Sequence, residues 1–89
     1  MQIESLLTSL REELALSKEN RDTGASDLSL QTVINLLRRA ETSAASGQAE
    51  NAKEALSAAA RQVGDSWSFS STLGIAVLEF VQATKRTML

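Results

Sequence analysis

WSFSSTLGIAVLEFVQATKRTML, residues Trp67 to Leu89, is the stretch on which the fold turns, because it holds the only Trp and both Phe residues. At about 100° per residue, Phe69, Leu73, Ala76, Val77, Phe80, Val81, Thr84 and Met88 fall on one broad helical face. Ile75 and Leu78 lie outside that arc. The first half of the stretch is therefore apolar nearly all round, while Glu79, Gln82, Lys85 and Arg86 give the second half a polar back. A helix of this kind is enclosed on several sides. The stretch thus predicts a central last helix, starting at Trp67 behind a cap at Asp65 or Ser66, or later behind Ser68 or Ser70.

Upstream, Gly64-Asp65-Ser66 reads as the break before this helix. A third helix is expected from Gln48 to about Val63. Ala49, Ala52, Leu56, Ala59, Ala60 and Val63 line one side of it, with Glu50, Glu54, Ser57 and Arg61 opposite. Its buried side is largely methyl groups, which add little area but let a neighbouring backbone come close. That neighbour is the second helix, which starts near Asp27 or Ser29. It carries Leu30, Val33, Ile34, Leu37, Ala40 and Ala44 on one face, with Leu36 at the edge. Gly47 can take the left-handed conformation that ends a helix. A helix running on through it, at a cost of about 1 kcal/mol relative to Ala, is the alternative. The break is the favoured reading and makes the two helices an antiparallel hairpin.

The placing of Leu36, Ala40, Ala52, Leu56 and Ala59 resembles the packing positions of a single tetratricopeptide repeat. Arg39 stands where that repeat has Leu, and Gly64 where it has Pro. One unit cannot build a solenoid, so the spacing reads as ordinary hairpin packing.

The first helix is expected from Gln2 to Lys18, with Ile3, Leu7, Leu10 and Leu14 at three-and-four spacing and Leu6 widening the stripe. Lys18 to Asp27 is polar and contains Gly24, the mark of a solvated connector. Asn20, Asp22 and Asp27 suggest a calcium loop. Counted from Asn20, however, the sixth residue is Ala25 and the twelfth Gln31, where Gly and Glu are required.

The whole is one all-α domain, residues 1–89, of about four helices, which fits a chain with no Pro and four Gly. Absent residue types exclude function classes. With no Cys there is no disulfide or thiolate metal site, and with no His the commonest metal ligand and general base are missing. No phosphate-binding, dinucleotide-binding or nucleophile-elbow motif is present. The chain is accordingly expected to be no enzyme and to need no cofactor or metal. MQIESLLTSL lacks the basic start of a signal peptide, and the apolar run from Leu73 to Val81 falls short of the ~20 residues a membrane span needs. A cytoplasmic protein without a membrane span is expected.

Net charge is −2, which gives nucleic acid little general attraction. Arg38 and Arg39 carry the alternative reading, a nucleic-acid-associated regulator acting through a local Arg patch. Against it, the helix after Gly47 presents Glu50 and Glu54 where a DNA reader would meet phosphate. The favoured reading is protein binding through surplus apolar surface. Leu16, Leu36, Ile75 and Leu78 lie off the main core faces and are the expected partner contacts, in a homodimer or a complex with another helical protein. Small acidic helical adaptors and secretion chaperones share these bulk properties, without a shared motif.

Overall fold

The computed structural model describes residues 3–87, and among them every regular element is helical. Helix α1 spans Ile3–Ala15, α2 Asp27–Ala45, α3 Ala49–Ser66 and α4 Thr72–Thr87, with one 3₁₀ turn at Lys18–Asn20. α1 packs on α2, α2 on α3, α3 on α4 and α4 back on α1, which makes a closed ring of four. The α1–α2 and α3–α4 connections lie together at one end of this bundle, here called the loop end, and the α2–α3 turn lies at the other.

The α2–α3 turn follows from its glycine. Gly47 sits at φ 78°. That conformation lets the Gly47 amide reach the Ala44 carbonyl at 3.1 Å and the Gln48 amide reach the Ser43 carbonyl at 2.8 Å. This paired closure ends α2 and turns the chain back along it. The return is antiparallel: Gln62, near the end of α3, donates to the Ser29 hydroxyl, near the start of α2, at 2.9 Å. The Ala-lined face of α3 works as its composition implies, with Ala52, Ala55 and Ala59 buried beside Leu56 and Val63.

The core is a cluster of aliphatic side chains. Leu6, Leu7, Leu10, Leu30, Val33, Leu37 and Val77 are fully enclosed. α2 supplies the largest buried set, seven residues including Ser29 and Ser43. α4 supplies Gly74, Val77 and Val81 and closes the ring. Leu73, Ala76, Leu78 and Phe80 pack half-buried against this core.

Three boundaries differ from expectation, each for a local reason. α1 stops at Ala15, because Arg21 takes its terminal carbonyls. α3 runs through Gly64 to Ser66, since Gly64 lies on an exposed side where nothing crowds or breaks it. α4 therefore begins at Thr72 rather than Trp67. Its cap is Ser71, whose hydroxyl accepts from the Gly74 amide at 2.8 Å. Phe69 falls in the connection and is 93% exposed, so it is no part of the core face assigned to it. Trp67 closes α3 instead and is buried. Gln2 and Met88 lie outside the described residues.

Candidate functional site

The segment from Leu16 to Ser26, most of which falls in the expected Lys18 to Asp27 connector, is an ordered tie bonded to α1, α2, α4 and the α3–α4 connection. Arg21 organises it. Its side chain is only 3% exposed. The guanidinium donates to the carbonyls of Glu13 and Leu16 at 3.1 Å each, Leu14 at 2.9 Å and Ala25 at 3.0 Å. It also meets the Asp27 carboxylate at 2.5 Å. A rigid fork of five donors suits such a converging set of acceptors, and a cation there complements the negative C-terminus of α1.

Around Arg21 the buried polar side chains have partners. The buried Glu13 carboxylate accepts the Thr23 amide at 2.7 Å, and the Thr23 hydroxyl accepts the Ala25 amide at 3.0 Å. The Thr23 carbonyl takes the Ser68 amide at 2.9 Å, which stitches the first connection to the second. Asp22 reaches further. Its carboxylate accepts the Leu73 amide at 3.0 Å and the Ser71 hydroxyl at 2.8 Å, so a residue 49 positions before Ser71 completes the cap of α4. Those two bonds, the Leu73 amide first, hold the Asp22 carboxyl below its ordinary value of 3.8.

On the other side, the Trp67 indole donates to the Ser29 hydroxyl at 2.8 Å, alongside the bond from Gln62. The two donors occupy both acceptor positions of that hydroxyl. Among the described residues no buried side-chain nitrogen or oxygen lacks a partner. A backbone tied at this density is held in one shape, so whatever it displays is displayed rigidly.

What it displays is apolar. Among the described residues, the exposed large hydrophobic ones are Leu16 at 46%, Leu28 at 77%, Phe69 at 93% and Ile75 at 48%. All four sit at the loop end: Leu16 just beyond α1, Leu28 in the first turn of α2, Phe69 in the α3–α4 connection and Ile75 in the first turn of α4. Weighted by exposure, the four together leave on the order of 500 Å² of apolar surface in water. An open groove of about 370 Å³ runs beside Leu28, between Lys18, Gln62 and Ser66.

Of the four partner contacts expected from sequence, Leu16 and Ile75 belong to this surface. Leu36 and Leu78 do not stand free, since both pack half-buried against the core. Leu28 and Phe69 were missed. Leu28 was legible, as it lies about 180° from Leu37 at helical spacing and so faces away from the core. Phe69 was not, because its exposure depends on where α4 starts.

Arg38 and Arg39 are exposed in the middle of α2, away from the loop end. Arg39 lines a shallow groove together with Glu54. Among the described residues, no group of three or more acidic side chains is placed to hold a metal ion, and no helix is long and apolar enough to cross a membrane. No known protein family, curated protein or solved structure matches this chain.

Proposed function

We propose that this chain is a non-enzymatic helical interaction module, of adaptor or chaperone-like kind, whose contact surface is the loop end of the bundle. The carrying observation is the gathering of Leu16, Leu28, Phe69 and Ile75 at one end on a backbone fixed by Arg21, Asp22 and Thr23. Each large apolar side chain left in water forgoes roughly 1.5–3 kcal/mol of burial, and scattered exposure of that kind is ordinary. Four at one end, on ordered backbone, have the form of an interface core awaiting a partner. Rigidity supports the reading too, because a pre-shaped surface loses little conformational freedom on binding. The lack of His, Cys and Tyr favours binding over chemistry as the chain's work.

The test is capture from the native host with tagged wild type and with Leu28→Ser/Phe69→Ser, alongside circular dichroism on both. Specific proteins retained by wild type and lost by the variant, at unchanged helicity, are expected. Equal capture by both chains, or none by either, refutes the reading. Sedimentation equilibrium on wild type separates a foreign partner from a second copy.

A further inference from the structure

Charge divides unevenly along the bundle. The loop end, residues 13–28 and 65–75, carries Glu13, Glu19, Asp22, Asp27 and Asp65 against Lys18 and Arg21, a net −3. The remainder carries six acids against seven bases, a net +1. The entire negative excess of the molecule thus lies at its apolar end. The excess persists at the surface. Glu19, Asp22 and Asp65 are exposed with no basic partner among the described residues, Asp27 is exposed but paired with the inward-turned Arg21, and Lys18 is the one exposed base in these two segments. The helix dipoles do not offset this, since two N-termini and two C-termini meet there and largely cancel.

We infer that the occupant of the loop end is a segment of a different protein, apolar at its centre and flanked by Lys or Arg, rather than a second copy in two-fold contact. The inference rests on the protein-binding role proposed above and adds the chemistry of the partner. A two-fold contact sets a surface against itself, so the carboxylates around Phe69 and Leu28 would face their own copies. Like charges set opposite one another work against such a contact, whereas a basic partner is steered in and held in register. A negatively charged membrane surface is disfavoured on the same ground. Glu19 and Asp65 make no bond within the fold among the described residues, so their charge is turned wholly outward.

The experiment is selection of random 16-residue displayed peptides on the intact chain, with sedimentation equilibrium of the chain alone. Enriched peptides are expected to be net basic around two or more large apolar residues. Phe69→Ser weakens them about ten-fold or more, as an interface anchor does. Glu19→Gln and Asp65→Asn, at sites that leave the fold intact, each weaken them about two- to five-fold, and added salt acts in the same direction.

Enriched peptides that are neutral or acidic yet still lost with Phe69→Ser overturn the basic partner and leave the binding role standing. Failure to enrich, with a wild-type dimer that Phe69→Ser dissolves, overturns it in favour of self-association. Enrichment indifferent to Phe69→Ser, or no enrichment from a monomeric chain, overturns both.

Discussion

Replacing Arg21 with Met keeps much of the side-chain stem and removes the fork that closes the first connection. Three of its carbonyl contacts, to Glu13, Leu14 and Ala25, are partly buried, and the fourth, to Leu16, is exposed. Hydrogen bonds from a charged donor contribute up to ~1.5–3 kcal/mol, but a half-exposed carbonyl recovers part of that from water. About 1 kcal/mol for each partly buried acceptor gives a loss of about 3 kcal/mol. The ion pair adds little, because the Asp27 carboxylate is 81% exposed. For a domain with ~5–15 kcal/mol in total this is severe, and it lowers Tm by roughly 12–24 °C. Arg21→Lys restores less than half, since an ammonium cannot span these acceptors. Urea unfolding followed by circular dichroism and by Trp67 emission measures the loss, with exposed Arg61→Met as the control, expected within ~0.5 kcal/mol of wild type. An Arg21→Met chain as stable as that control would refute the view of this segment as a structural tie.

Further outcomes follow from single sites. Gly64→Ala, in an exposed helical position with nothing within 4 Å, stabilises by ~0.5–1 kcal/mol, while Gly47→Ala at φ 78° destabilises by at least as much, both read from thermal unfolding. Asp22 has its folded value held below the unfolded 3.8. Its stabilising effect is present above that unfolded value and is lost as pH falls through the folded one, so the stability gap between wild type and Asp22→Asn narrows as pH drops below about 5. Mobility-shift titration with duplex DNA at physiological salt is expected to show no tight binding. Binding that Arg38→Gln/Arg39→Gln abolishes, and that weakens steeply with salt, would promote the nucleic-acid reading instead.

The helices were legible because apolar spacing repeats cleanly: Leu30, Val33, Ile34 and Leu37 bury together, as do Leu7 and Leu10. The turn at Gly47 was the favoured of two readings, since glycine is also tolerated inside a helix, and its φ of 78° decides for the break. The Gly64 boundary was not legible. Glycine is permitted both inside and after a helix, and here long-range bonds settle the matter: Asp22 and Ser71 fix where α4 begins, and the Trp67–Ser29 bond fixes where α3 ends. No local pattern announces a cap supplied from 51 residues away, as in the bond from Leu73 to Asp22. The loop end was half legible for the same reason. Leu16 and Ile75 depart from a periodic face, but Phe69 is exposed only because the chain turns where those bonds make it turn.

The binding role of the loop end is tested most directly by site-specific photo-crosslinking in the native host, with a benzophenone side chain at position 69 and, as reference, at position 38 on the outer face of α2. A discrete crosslinked species at position 69, absent at position 38 and suppressed by Leu28→Ser, is the predicted result. No crosslink at position 69, or the same products from both positions, would contradict it.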